Sequence, residues 1–274
     1  MSSATRAEID ESHAQYRGSW RMLALGSPAG EVVERPEVFI TACHVSWAMM
    51  NAAFLRAPAE SEQALSAAVA SAARYFSTTK HGWAFVLSDD WLAPSLRERA
   101  ESILTWYGLK FQPQMNAVGM VAERLAEPVR PLPSLDLRPV KDAWTREAVA
   151  DINSLCYDVR REIGREAFAV ESLYGPDCLG FVGCRDGAPA TSAVAMRVDN
   201  VAYVALVATL PEHRRVGAAE ATIRHALAEA RRDWGIERTV LHATDAGLPV
   251  YQRMGYRPVT LFRTYMASAP GRAE

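Results

Sequence analysis

The sequence contains no apolar run that approaches the roughly 20 residues needed to cross a bilayer. Its first ten residues, MSSATRAEID, are polar and lack the apolar segment of a secretory signal. We therefore expect neither a signal peptide nor a membrane span. These absences predict a cytoplasmic protein that does not act at a membrane.

An excess of charge of one sign is also missing. The 30 Lys and Arg residues stand against 32 Asp and Glu residues, for a formal net charge of −2 at pH 7. A nucleic-acid-binding chain usually carries a clear basic excess, so no nucleic-acid partner is expected. The seven tryptophans are scattered singly and are expected in the core rather than on a base-stacking platform.

Cysteine is scarce, and the four cysteines have no spacing typical of a zinc site. We expect buried thiols and no metal ion. The four are Cys43, Cys156, Cys178 and Cys184.

The most informative stretch of the chain, residues 201–234, predicts a strand, a polar turn and a helix. Residues 201–210 are almost continuously apolar, as in a central strand covered on both faces. Pro211 ends this strand. Apolar residues then recur at spacings of three and four as far as Trp234, which forms one face of a helix that Gly235 ends.

The turn at residues 214–219 has the properties of a pyrophosphate-binding site. A helix N-terminus attracts phosphate through its free N–H groups and the positive end of its dipole. Gly217 allows close approach of the backbone, Ala218 and Ala219 add little bulk, and Arg214 and Arg215 add positive charge. An ordinary strand–turn–helix connection is the alternative interpretation of the same residues.

The rest of the pattern divides the chain into two halves that end alike. The first half predicts helices at 5–25, 60–76 and 94–107, and strands at 31–35, 38–43, 45–55, 83–87 and 114–121. The second half predicts strands at 135–140, 178–184, 190–200, 238–243 and 257–266. Its other helices are predicted at 142–157, 165–174 and 248–254, and a hairpin turn at Asp186-Gly187.

Each half ends with the same predicted order of a strand, a helix, a glycine and a strand, which indicates an internal duplication. Gly108-Leu109 then corresponds to Gly255-Tyr256. Three prolines within residues 128–134 predict a linker between the halves. In the first half, no glycine follows the strand that ends at Leu55, and Pro58 stands in the turn, where it cannot donate an N–H group.

Arg214-x-x-Gly217-x-Ala219, after an apolar strand and at the start of a helix, resembles the acetyl-CoA signature of the GNAT superfamily of N-acetyltransferases. The segment 247–256, in which Tyr251 precedes Gly255 by four residues, resembles the family's fourth helix and the strand start after it. The resemblance covers residues 135–266, about half of the chain.

This resemblance implies an α+β or α/β fold, a mixed β-sheet flanked by helices, arranged as two tandem GNAT-like domains. We expect a degenerate domain at residues 1–127, a proline-rich linker at 128–134, a catalytic domain at 135–267 and a flexible tail at 268–274. The first domain is expected to pack against the second and to shape its substrate cleft.

The family also implies where acetyl-CoA would bind. A backbone N–H group near Val207 would polarise the thioester carbonyl. Tyr251 would be the general acid for the CoA thiolate, the alternative being a core tyrosine. Thr244 stands where the family often has asparagine. The implied contacts are Leu206, Val207, Ala208, Thr209, Arg214, Arg215, Val216, Gly217, Ala218, Ala219, Thr244, Gly247 and Tyr251.

The general base is left open by the sequence. The candidates are His242, Asp245, His213, Glu171, Asp199 or a chain of water molecules. We expect acetyl-CoA as cosubstrate, a small-molecule amine as acceptor, and a monomer or homodimer. A lysine or N-terminal amine of a protein is an alternative acceptor, and a non-catalytic acyl-CoA-binding sensor is a third hypothesis.

Overall fold

The computed structural model describes residues 4–268, which fold around one mixed β-sheet. The helices of this part of the chain are α1 (Arg6–Gly26), α2 (Glu62–Phe76), α3 (Ala100–Trp106), α4 (Ala143–Cys156), α5 (Arg161–Phe168), α6 (Ala218–Trp234) and α7 (Leu248–Arg253). The strands are β1 (Glu31–Glu34), β2 (Val38–Ala42), β3 (Asn51–Leu55), β4 (Trp83–Ser88), β5 (Lys110–Phe111), β6 (Ala117–Ala122), β7 (Asp136–Pro139), β8 (Cys178–Arg185), β9 (Ala188–Val198), β10 (Val201–Thr209), β11 (Thr239–Ala243) and β12 (Arg257–Ala267). Residues 269–274 of the expected tail lie outside the described part.

The strands form one sheet in the order β1-β2-β3-β4-β12-β6-β11-β10-β9-β8-β7, and β5 pairs with β12 off this path. Neighbours are antiparallel except for two pairs, β3 with β4 and β10 with β11, which are parallel. Each parallel pair is joined by a helix, α2 in the first half and α6 in the second, as a crossover between parallel strands requires. A mixed sheet flanked by helices was predicted and is confirmed.

The two halves exchange their last strands. β6 of the first half pairs with β11, placing Gly119 opposite His242, and β12 of the second half pairs with β4, placing Phe85 opposite Tyr265. β6 and β12 also pair with each other at the centre of the sheet. The sheet therefore runs without interruption through both halves. The division at residues 127 and 135 stays a prediction of the sequence pattern.

Helices cover both faces of the sheet. Along the strands, side chains alternate between the layers, so that Val201 and Tyr203 contact the α1 side while Ala202 and Val204 contact α6. Helices α1, α4 and α5 lie on one face, and α2, α3, α6 and α7 lie on the other. Helix α1 crosses the middle of the sheet and contacts strands of both halves.

The predicted correspondence between the halves appears in their helix ends. Gly108 and Gly255 both have positive φ, 79° and 96°, at the end of α3 and α7. The N–H of Leu109 donates to Leu104 O at 3.2 Å, and the N–H of Tyr256 donates to Tyr251 O at 3.0 Å. The two segments thus share one C-terminal geometry, with Leu104 at the position of Tyr251.

Three predicted elements have a boundary that is wrong by about six residues. The predicted strand at 45–55 begins only at Asn51, because the Asn51 side chain binds the loop before it through Val45 O at 3.0 Å and the His44 N–H at 3.0 Å. The predicted helix at 94–107 is a 3₁₀ turn and then the short α3. The predicted helix at 165–174 lies instead at Arg161–Phe168, where Arg165 binds both carboxylate oxygens of Asp151 on α4 at 2.7 Å.

The expectation that all tryptophans lie in the core was also wrong. Trp106 at the end of α3 is 86% exposed, and Trp144 on α4 is 44% exposed.

Helix α1 docks onto the sheet through stacked aromatic rings. Tyr16 stacks on His242 of β11 at 3.7 Å, and His13 stacks on Trp91 at 3.6 Å. The His242 ring nitrogens contact Ser12 Oγ at 3.2 Å and Tyr203 Oη at 3.0 Å. Burial lowers the pKa of His242 to about 3 and lowers that of His13 well below its usual value. Both rings are therefore neutral at pH 7.

We predict that neither half folds alone. A fragment of residues 1–127 would leave β4 without β12 and β6 without β11, and two unpaired strand edges would be exposed. The full chain is expected to unfold in one cooperative transition, and the isolated fragment in none, when both are heated and followed by circular dichroism. A cooperative melt of the fragment by itself would contradict this.

We also predict acid sensitivity from the neutral histidines. A histidine in the unfolded chain has a pKa of ~6.5. At any pH between this value and the lower pKa of the folded protein, unfolding therefore takes up a proton. Stability is complete above this range and falls as the pH drops through it, by up to about 1.4 kcal/mol per pH unit for each histidine. Urea unfolding of the wild type and of His242→Gln at pH 7 and pH 5 measures this. The variant should lose less stability over the interval, and equal losses would refute the prediction.

Candidate functional site

A cavity of about 720 Å³ lies where β10 separates from β11. Both sequence halves form its walls, with α1 and the loop 47–50 from the first half and β10, the start of α6 and α7 from the second. Of the thirteen acetyl-CoA contacts expected from the sequence, twelve line this cavity: Leu206, Val207, Ala208, Thr209, Arg214, Arg215, Gly217, Ala218, Ala219, Thr244, Gly247 and Tyr251. Val216 does not, and it is 42% exposed.

Strand β10 opens the sheet at this point. Its parallel pairing with β11 ends at Val204, and its register with β9 shifts between Ala205 and Ala208, where Leu206 has a φ of 48°. Ser192 Oγ donates to Leu206 O at 2.8 Å and so holds the distorted backbone in place. Residues 206–209 therefore have no partner in β11, although the carbonyls of Leu206, Ala208 and Thr209 already accept side-chain hydrogen bonds. An extended amide-containing chain can pair with the backbone groups of such an edge that are not bonded in this way.

The turn after β10 leads the chain into α6 through two left-handed residues. Arg215 has a φ of 64° and Gly217 a φ of 89°, and Gly217 is the N-cap of α6. The first N–H groups of a helix have no carbonyl partner within the helix. Those of α6 lie at the cavity wall beside Ala218 and Ala219, where they can bind an anion.

Four arginines line the cavity, and two of them were not found from the sequence. Arg214 has a structural contact, because its Nε donates to Thr209 O at 2.9 Å and closes the turn. Arg130 from the linker and Arg253 from α7 add to the charge of Arg215. The linker also passes close to the turn, since a Cβ atom on Gly217 would lie 3.3 Å from Pro133 Cδ. Nothing in the composition of the linker indicated this position.

Tyr251 lies in the cavity wall with 9% of its surface exposed. Its ring packs on Gly247, where an added Cβ would lie 2.9 Å from Tyr251 Cε2. Burial raises the pKa of Tyr251, with smaller effects of the same sign from Tyr157 and Tyr256. In the part of the chain that the structure describes, its hydroxyl makes no hydrogen bond. Tyr251 is thus a neutral phenol with a proton to donate.

The candidate bases separate into two groups. His213 and His242 line the cavity, and the buried Nδ1 of His213 has no hydrogen-bond partner among the described residues. Glu171 forms an exposed ion pair with Arg146 at 3.2 Å, and Asp199 lies at the β9–β10 hairpin with a φ of 51°. Neither these two carboxylates nor that of Asp245 lines the cavity. No base was named from the sequence, and the geometry brings only the histidines to the site.

The corresponding opening in the first half is closed. Beyond β3, Ala59 bridges to the segment after β4, with its N–H donating to Trp91 O at 2.8 Å and its carbonyl accepting from the Ala93 N–H at 3.0 Å. This bridge occupies the edge that remains free at residues 206–209 of the second half. The Ala59 bridge is thus a structural difference between the halves, and the degeneracy of the first half stays a prediction.

Sequence reasoning missed the aromatic wall of the cavity. Its members come from four separate parts of the chain, and no local spacing connects them. They are Tyr16, Trp20, Trp47, Tyr157, Phe168 and Tyr203.

Within 4–268, no group of three or more His, Cys, Asp or Glu side chains is placed to hold a metal ion. Within the same residues, no helix is long and apolar enough to cross a membrane.

Comparison with known proteins supports the interpretation of the second half. The profile of the acetyltransferase (GNAT) family matches residues 137–256. No curated protein matches the chain. A GCN5-related N-acetyltransferase from Kribbella flavida is similar over 95% of this chain and 96% of its own, with 19% identity and a TM-score of 0.69.

Two further solved structures share the fold. A putative acetyltransferase of the GNAT family from Novosphingobium aromaticivorans covers 90% of this chain and 96% of its own, at 18% identity and a TM-score of 0.54. A tandem GNAT protein from the clavulanic acid biosynthesis pathway covers 99% of both chains, at 13% identity and a TM-score of 0.54. The GNAT acetyltransferase family model thus matches residues 137–256, and over almost its whole length the chain shares the fold of a tandem GNAT protein.

Proposed function

We propose that this protein transfers an acetyl group from acetyl-CoA to the amine of a small molecule. The observation that carries this proposal is one cavity that joins the free edge of β10, the N-terminus of α6 and the Tyr251 hydroxyl. A thioester cosubstrate with a pyrophosphate and a chain of amides needs these three features together.

Each part of acetyl-CoA has a complementary surface in the cavity. The pyrophosphate would bind at the α6 N-terminus, where Arg215 and Arg130 supply positive charge beside the helix dipole. The pantetheine amides would pair with the backbone of residues 206–209 as an added strand. The thioester would then lie near Val207, whose N–H group would polarise the carbonyl oxygen.

The reaction is a direct transfer. The amine nitrogen attacks the thioester carbon and forms a C–N bond, and the C–S bond breaks as the tetrahedral oxyanion collapses. The CoA sulfur leaves as a thiolate and takes the Tyr251 proton, and the phenolate regains a proton as the amine loses its own through water. Burial raises the pKa of Tyr251, which keeps its O–H group intact in the free protein but makes proton transfer to the thiolate less favourable, so this step requires stabilisation of the phenolate in the complex.

The position of the first half over one side of the cavity supports a small acceptor over a protein. Helix α1 and the loop 47–50 of the first half cover the side opposite the α6 turn, with Tyr16 and Met50 on the wall. A lysine on a folded protein would have to pass this cover.

We predict that a side chain at Gly217 weakens acetyl-CoA binding. Gly217→Val would place a Cβ in the turn at a φ of 89°, where it strains the backbone and lies close to Pro133. We expect the dissociation constant from calorimetry to rise at least tenfold, about 1.4 kcal/mol. Gly235→Val is the matched control, because Gly235 has a φ of 71° at the other end of α6 and no neighbour within 4 Å. A similar loss of affinity in both variants would count against the binding turn.

We predict that Tyr251→Phe impairs turnover and spares binding. Loss of a general acid costs about 10²- to 10⁴-fold in rate, so kcat should fall within that range while the dissociation constant of acetyl-CoA changes less than threefold. Thiol release measures kcat, and Tyr107→Phe, outside the cavity, is the control. Unchanged kcat would assign Tyr251 to packing. Binding without any turnover in the wild type would favour the acyl-CoA sensor.

A further inference from the structure

The cavity has a second region that acetyl-CoA does not account for, and it lies on the α1 face of the sheet. We call it the aromatic chamber and define it by Tyr16, Trp20, Trp47, Tyr157, Phe168 and Tyr203. Tyr203 points towards α1, whereas α6 and its anion-binding turn lie on the opposite face. The chamber and the turn are therefore reached from opposite sides of the gap between β10 and β11.

The walls of the chamber are fixed by ring-to-ring contacts. Trp47 meets the edge of Phe168 at 5.5 Å and lies 6.2 Å from Tyr157. On the other side, Tyr16 stacks on the neutral His242. Tyr157 keeps 43% of its surface accessible. Desolvation raises the pKa of its hydroxyl. An open space with preformed aromatic walls is suited to a flat, apolar ligand.

The arginines among the described cavity-lining residues belong to the linker, the turn and α7, none of which contributes to the aromatic chamber. They are Arg130, Arg214, Arg215 and Arg253. Among the described residues that line the cavity, the sole carboxylate is Glu220, and it pairs with Arg224 at 2.9 Å. A ligand with several ammonium groups would therefore be buried without a counter-charge, which is unfavourable.

We propose that the acceptor is a compact molecule with one primary amine on a bulky aromatic group, and that the aromatic chamber binds this group. The inference rests on the proposed acetyl transfer. The aromatic group packs between Trp47 and Tyr16, and the amine points through the gap towards Val207. The products are the N-acetyl amide and the CoA thiol, and the proton that the amine nitrogen loses replaces the one that Tyr251 gives to the CoA sulfur. The first half of the chain, through Trp47 and Tyr16, thus selects the acceptor.

The test compares two classes of amine by thiol release at a fixed, saturating acetyl-CoA concentration. Tryptamine and 2-phenylethylamine represent the expected class, and spermidine, kanamycin and a lysine-containing peptide represent multiply charged acceptors. We expect kcat/KM to be at least tenfold higher for the aromatic amines. Equal or lower values for the aromatic amines, or no thiol release with either of them, overturn the proposal.

Variants at Trp47 test the chamber itself. Trp47→Ala should raise the KM for tryptamine at least tenfold, and Trp47→Phe should restore most of the loss. Trp106→Ala, at an exposed tryptophan outside the cavity, is the matched control and should leave KM unchanged. An unchanged KM in Trp47→Ala, or a Trp47→Phe variant no better than it, overturns the proposal.

Calorimetry with acetyl-CoA alone distinguishes a failure of the acceptor assignment from a failure of the proposed acetyl transfer. Wild-type protein that binds acetyl-CoA but shows no preference for aromatic amines refutes the acceptor assignment and leaves the proposed function standing. Failure of the wild type to bind acetyl-CoA refutes both.

Discussion

The pairing of each half's last strand with the other half is the constraint on which the rest of the structure depends. β6 completes the sheet next to β11, and β12 completes it next to β4. This pairing brings α1 across the centre of the sheet, where Gly119 of β6 has no side chain and Ser12 can approach closely. With α1 in this position, Tyr16 lies on His242 and forms part of the cavity wall.

The same architecture produces one open site and one closed site. In both halves a helix joins two parallel strands, α2 between β3 and β4 and α6 between β10 and β11. The two halves differ in the hydrogen bonds made by the segment between the first strand of the pair and this helix. In the second half, Leu206 leaves the ladder and Gly217 starts α6 in a left-handed conformation. In the first half, Ala59 bridges the two segments and Pro58 stands in the turn. The proposed acetyl-CoA site therefore lies in the second half, where these bonds are not made internally.

Much of this could be predicted from the sequence, because the signals are local. The continuous apolar run of β10, the spacing in α6 and the Asp186-Gly187 turn each determine one element. Asp186 and Gly187 both have the positive φ of such a hairpin. The proposed acetyl-CoA contacts lie within two short segments of the chain, residues 206–219 and 244–251. Strand exchange could not be predicted, because an apolar pattern indicates which face of a strand is buried and not which strand is its neighbour.

The aromatic chamber could not be predicted for the same reason. Trp47 and Phe168 are far apart in the sequence and meet only because the two halves share one sheet. Trp47 and Trp20 looked like core residues, and they do pack against the core while also forming a wall. Arg130 looked like part of a simple linker, and only the path of the chain past Gly217 brings it to the site.

Hydrogen–deuterium exchange of the full chain, with and without acetyl-CoA, tests the central claim most directly. The account predicts that acetyl-CoA slows exchange at the amides of residues 206–209 and 215–219, where the backbone has unmade bonds. At residues 51–60 exchange should not change on adding acetyl-CoA, because the Ala59 bridge already supplies the hydrogen bonds there. Protection at residues 51–60, or none at residues 206–219, would contradict the assignment of the site to the second half.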